Sequence, residues 1–189
     1  MTSHYFLAIP LPERIKAALS LLSEQLKKQC AYKVWTGPED YHITLVFLGG
    51  VPVEQLQQLE RMLEHYLPKL SSMTLALEGL SSFGSKVHPR VLFAKVQHSP
   101  LLMQNQQLIA ECCKQCGLKT ETRPYRPHVT LGKKWTGGRP ISWGELPTLS
   151  SVIQHSEWQS EEIVLYEIHP GAHPKYKPYR IFNLKDRQE

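Results

Sequence analysis

Short strands alternating with three amphipathic helices, in two halves that share a strand motif, are the architecture this 189-residue chain predicts. Two observations carry the prediction. Apolar residues recur at helical spacing in three places separated by β-rich runs. A tetrapeptide, His-hydrophobic-Thr-hydrophobic, also occurs once in each half, as a duplicated strand–helix unit would leave it. The composition (41% hydrophobic, 21% charged, Gly 11, Pro 14) is globular and excludes collagen-like, low-complexity and disordered classes.

In chain order, residues 5–9 are apolar and stop at Pro10, which predicts a strand. Residues 13–28 place Ile15, Leu19, Leu22 and Leu26 on one helical face. Residues 42–48 are a β-rich run closed by Gly49-Gly50. The helical pattern returns over 53–67 through Leu56, Leu59, Met62, Leu63 and Tyr66. Residues 72–80 alternate as Met73, Leu75 and Leu77, a strand with one wet face. Another strand is predicted at 90–96, and a third helix at 100–116 ends at Gly117. Residues 126–133, 162–168 and 179–184 read as strands, and 134–156, rich in Gly, Pro, Trp and Ser, as mostly loop.

Cys30, Cys112, Cys113 and Cys116 make no disulfide framework, since three crowd into five positions. Cys113 and Cys116 form a CxxC without a second pair at zinc spacing, and they extend the apolar stripe from Leu102 and Ile109. Buried helix cysteines are expected. No apolar run approaches the ~20 residues of a membrane span. The first residues lack a basic start followed by an apolar stretch, so a soluble cytoplasmic protein is expected. A net charge of +5 attracts phosphate or nucleic acid only if it is concentrated in a cleft. Residues 169–180 hold basic residues, His169 and His173 and no acid, which suits a solvated loop or a substrate-facing one.

The repeated motif carries the chemistry. On a strand, His42 and Thr44 share one face and Ile43 and Leu45 the other; His128 and Thr130 stand likewise against Val129 and Leu131. Each strand buries its aliphatic face and presents an imidazole and a hydroxyl, about 7 Å apart along the backbone. Brought together around a pseudo-twofold axis, the four groups suit a phosphodiester. One neutral imidazole takes a proton from water, and the other, protonated, gives one to the leaving oxygen. The hydroxyls donate to the non-bridging oxygens. In a chain of this composition the tetrapeptide is expected roughly 0.07 times by chance, against two observed. Thr at both matched positions suits phosphate better than a cation, so no metal and no cofactor are expected.

Weaker candidates surround these four. Arg90 opens a predicted strand and could neutralise a phosphate. Arg126 shares the strand parity of His128. Phe83, Tyr125 and Trp135 could stack on a base, with core or loop packing as the alternative.

The paired motifs, the opening YFLAIPLPE, LVFLGGV after the first motif, RPYRPHVTL at the second and VLYEIHPG near the end resemble the two-histidine (2H) phosphoesterases. Within them the likeness is to the LigT/ThpR branch of RNA 2′,3′-cyclic phosphodiesterases, and it runs over nearly the whole chain. The resemblance implies a single bilobal α+β domain over residues 1–189, with two antiparallel sheets facing a cleft and helices outside. It implies metal-free opening of a terminal 2′,3′-cyclic phosphate to a 2′-phosphomonoester, and joining of tRNA halves through a 2′–5′ bond by the reverse chemistry. It casts His42 as proton donor and His128 as acceptor, with Thr44 and Thr130 holding the phosphate. Sequence symmetry alone leaves the donor and acceptor open, and no role is drawn from Gly132-Lys133-Lys134-Trp135. A monomer is expected, since no coiled-coil pattern appears. Two other readings stand beside the RNA phosphodiesterase. One is a module that binds RNA ends or nucleotides without turnover; the other is an esterase for a different small cyclic phosphate.

Overall fold

The computed structural model describes residues 3–185. Strand β1 (His4–Pro10) ends where proline withdraws a backbone donor, and helix α1 (Glu13–Lys27) follows after Pro12. Its predicted stripe of Ile15, Leu19, Leu22 and Leu26 is fully buried. Strand β2 (Tyr32–Trp35), a single 3-10 turn at Pro38–Asp40 and strand β3 (His42–Gly50) complete the first unit. Helix α2 (Val53–Tyr66) buries Leu56, Leu59 and Leu63 and leads to β4 (Met73–Gly84). Strand β5 (Pro89–Val96), helix α3 (Pro100–Gln115) and strand β6 (His128–Trp135) then repeat the strand–helix–strand order of β1, α1 and β3. Ser99 caps α3 by accepting a hydrogen bond from the Leu102 amide at 3.3 Å, and Gly117 takes the positive φ (+71°) that ends it. Strands β7 (Glu157–Ser160), β8 (Glu162–Ile168) and β9 (Tyr176–Asn183) close the chain.

All strand pairings are antiparallel, in the order β7-β4-β5-β6-β3-β1-β8-β9, with β2 added alongside β6. Strands β3 and β6 of this α+β fold meet at one residue pair, Ile43 with Val129, and the halves are also joined by β2 on β6, β1 on β8 and helix α3 on β3 and α2. The central strands are thus the two that carry the repeated motif, and each half presents its His-x-Thr beside the junction. Both junction residues are fully buried. Ile43 and Val129 belong to one continuous apolar cluster with the stripes of all three helices. Gly132 permits β2 to pack on β6, because a Cβ there would stand 2.9 Å from Cγ of Tyr32.

The four cysteines are free and buried, as their stripe predicts, and burial pushes Cys30 up to about 11 and Cys113 to about 12. They pack as small apolar residues. No described helix is long and apolar enough to cross a membrane. Strands β2 and β7 were not expected from the sequence; β4 runs four residues beyond its predicted end, and β9 begins three residues before its predicted start. Both unexpected strands are four-residue segments that become strands by pairing with β6 and β4.

Candidate active site

The first six residues of β3 and of β6 share one burial pattern: half-buried, buried, half-buried, buried, buried, exposed. The first four positions are the motif, with His and Thr outward and the aliphatic residues inward. The doubled buried position is a bulge. Leu45 is the extra residue between Thr44, paired with Ala8, and Val46, paired with Leu7. Leu131 is its counterpart between Thr130 and Gly132. Each bulge reverses strand parity, so the residue five beyond each histidine, Phe47 or Lys133, returns to the face of the imidazoles.

The Ile43–Val129 pair sets the distance between the motifs. Antiparallel register continued from this pair would set His42 opposite Thr130 and Thr44 opposite His128, with the two histidines as diagonal neighbours whose backbones are roughly 7 Å apart. A pocket of about 140 Å³ opens on this face, lined by Phe6, Thr36, Asp40, His42, Thr44, Phe47, Thr130, Lys133, Ile168 and Tyr176. His128 sits beside it, near enough for its charge to act on His42.

Both rings are held the same way. Nδ1 of His42 lies 2.7 Å from the Asp40 carbonyl, and Nδ1 of His128 lies 2.7 Å from the Arg126 carbonyl. A carbonyl only accepts, so each Nδ1 carries a proton and each Nε2 is left as the reactive atom. Nε2 of His42 meets the Thr44 hydroxyl at 3.0 Å. Aromatic walls fix the ring planes. Phe6 (4.7 Å) and Tyr176 (5.1 Å, edge-on) flank His42, while Phe83 and Phe93, both at 4.9 Å, flank His128.

These walls also set the electrostatics. Burial drives His42 down to about 4, and the charges of Lys133 and His128 act in the same direction, against the pull of the Asp40 carbonyl. His128 is lowered chiefly by burial, then by Lys133 and Arg126. Lys133 is itself lowered, by desolvation in the cleft and by Lys175. At pH 7 the site therefore holds two neutral imidazoles, with the side chains of Lys133 and Asp40 both on the pocket wall.

The outer candidates fall in different places. Arg126 is exposed, with its guanidinium 5.1 Å over the ring of Phe83. Phe83 is thereby capped on one side and meets His128 edge-on, as a wall for that imidazole. Arg90 is exposed at the start of β5 and does not line the pocket. Trp135 packs edge-on to Tyr32 at 5.1 Å and donates to the Gly137 carbonyl, and Tyr125 packs against the core. His169 bonds Glu167 at 3.1 Å. The C-terminal basic run does approach the site: Asp40 Oδ1 accepts from the amides of Lys175 (2.9 Å) and Tyr176 (3.2 Å). Among the described residues no three His, Cys, Asp or Glu side chains cluster as metal ligands.

Sequence reasoning passed over Lys133, Phe47, Asp40 and Tyr176. Strict alternation puts Lys133 and Phe47 on the wrong face; Gly132 inside a strand was the one available sign of a bulge.

A family model described as the 2′-5′ RNA ligase superfamily matches residues 11–169. The chain belongs to the 2′-5′ RNA ligase superfamily. Curated proteins related to this superfamily member include an RNA 2′,3′-cyclic phosphodiesterase of Bacillus subtilis, 31% identical over 96% of both chains. A protein of the same description from Geobacillus stearothermophilus is 34% identical over 96% of this chain, which spans 57% of that relative's length. Among solved structures, E. coli LigT complexed with 3′-AMP superposes with a TM-score of 0.76 at 20% identity, covering 97% of this chain and 99% of that one. A Thermus thermophilus protein gives 0.78 at 23% identity over 98% of this chain and all of the other. These two establish a shared fold for this superfamily member.

Proposed function

We propose that this protein is an RNA 2′,3′-cyclic phosphodiesterase that opens the ring to a 2′-phosphomonoester, and that His42, His128, Thr44 and Thr130 carry the reaction. The observation that supports it most is the meeting of both motifs at one pocket, which His42, Thr44, Thr130 and Lys133 line with His128 beside them. His128 Nε2 takes a proton from water as the water oxygen attacks phosphorus; the P–O3′ bond breaks, and His42 Nε2–H protonates the departing O3′. The Thr44 and Thr130 hydroxyls and the Lys133 ammonium neutralise the non-bridging oxygens. With an RNA 5′-hydroxyl in place of water, the same proton transfers form a 2′–5′ phosphodiester, which would join tRNA halves. The two imidazoles supply both proton transfers without a metal. Four free buried thiols suit a reducing cytoplasm.

The test is turnover of adenosine 2′,3′-cyclic phosphate in EDTA, with the product identified by phosphorus NMR. Formation of the 2′-monophosphate is expected. The 3′-monophosphate would overturn the direction of opening, and tight nucleotide binding without turnover would make the protein a binding module.

The pH dependence follows from the lowered imidazoles. Catalysis needs one proton on the pair, a state most populated between the two pKa values. His42 sits at about 4 and His128 below its usual 6.5, so kcat/KM should peak on the acid side of pH 6.5. The phosphate anion stabilises an imidazolium, so the kcat profile should lie at higher pH than that of kcat/KM. With His42 held down to about 4, its donor role relies on the bound anion. A kcat/KM still rising above pH 8 would contradict this scheme.

A further inference from the structure

We propose that Asp40 and Arg126, the residues two places before the motif histidines, are positioning residues that give the symmetric pair its direction. The Asp40 carboxylate keeps a proton on His42 for donation, and the Arg126 guanidinium keeps one off His128 for acceptance. This deepens the phosphodiesterase reading and rests on it. The two rings are otherwise held alike. Each donates Nδ1–H, at 2.7 Å, to the carbonyl of the residue two before it, and each is half-buried between aromatic rings. A reaction that gives a proton at one ring and takes one at the other needs an asymmetry. The two residues that hold the rings supply it as opposite charges.

Both charges are fixed beside their rings. Asp40 lines the pocket, where Oδ1 accepts from the amides of Lys175 at 2.9 Å and Tyr176 at 3.2 Å. Tyr176 in turn stands edge-on to His42 at 5.1 Å. The Arg126 guanidinium lies 5.1 Å over the Phe83 ring, and that ring meets His128 edge-on at 4.9 Å. The other groups around the imidazoles do not set them apart. Burial lowers both rings most, and Lys133 on β6 lowers both. Lys95 on β5 pairs with His128, but its ammonium is ion-paired to Glu78. On β8 and β9, burial raises the Tyr166 and Tyr176 phenols, which stay neutral. The Lys175 ammonium is turned over the Tyr176 ring, 5.5 Å from its centroid. Repulsion between the two imidazoles is mutual. The Asp40 charge opposes the depression of His42, whereas the Arg126 charge adds to that of His128. The productive state has a proton on His42 and none on His128. Its share of the singly protonated enzyme therefore rises with the pKa of His42 and falls with that of His128. A unit charge about 7 Å away changes such a ratio ~3-fold even in a water-like dielectric, and more in a drier one.

The test titrates both imidazoles by NMR in the native protein, Asp40→Asn and Arg126→Gln, with kcat/KM measured on adenosine 2′,3′-cyclic phosphate. Salt is kept near ~10 mM, where charges are screened only beyond ~30 Å. Asn retains an oxygen that can accept from the two amides and loses only the charge. Asp40→Asn should lower the pKa of His42, and Arg126→Gln should raise that of His128, each leaving the other ring nearly unmoved. Each variant should lose ~3-fold or more in kcat/KM at its optimum, and Arg126→Lys should keep native titration and rate. Rings that titrate as native in either variant, shifts without loss of kcat/KM, or Arg126→Lys as impaired as Arg126→Gln would overturn the charge pair. The expected ring shifts without turnover by the native protein would instead overturn the phosphodiesterase reading. Amide NMR spectra of the same samples verify that each variant is folded.

Discussion

Replacing His42 or His128 with Ala should each lower kcat on a nucleoside 2′,3′-cyclic phosphate by ~10²–10⁴-fold, the usual worth of one positioned acid or base. Each ring has Nδ1 tied to a backbone carbonyl, which leaves Nε2 as its one site for proton exchange, so neither can cover for the other. The double variant should lose less than the product of the single losses, because one proton transfer without its partner already fails to complete the displacement. Both side chains are half-buried at the cleft, and melting temperatures should stay near native. Full activity in either single variant would end the two-histidine mechanism.

The second large effect is on stability. Ile43→Ala should cost ~2–5 kcal/mol in urea unfolding, because the site is fully buried and the removed methyl groups leave a cavity. Ile43 pairs with Ile9 on one side and Val129 on the other, so the cavity opens at the junction between the halves. In a chain of this size that loss lowers the melting temperature by on the order of 10 °C. The diagonal approach of His42 and His128 depends on the same pair, so the still-folded variant should also lose kcat. A cost under ~1 kcal/mol, with native kcat, would show that this junction neither holds the halves together nor sets their register.

Much of the site was already present in the primary structure. His42, Thr44, His128 and Thr130 share one strand parity, and the aliphatic partners that anchor them share the other, so local alternation suffices to turn all four toward one face. The helical stripes, including the buried cysteines, were legible because a 3.6-residue apolar period needs no distant partner. What only the tertiary structure decided is of another kind. Strands β2 and β7 exist because β6 and β4 pair with them. Leu45 and Leu131 bulge because a neighbouring strand skips one residue, and that skip carries Phe47 and Lys133 into the cleft. Asp40 meets Lys175 and Tyr176 only after β8 and β9 have packed beside β1. Local pattern records which side of its own element a residue takes; pairing, bulges and loop contacts are set by residues far away in the chain, and no local period records them.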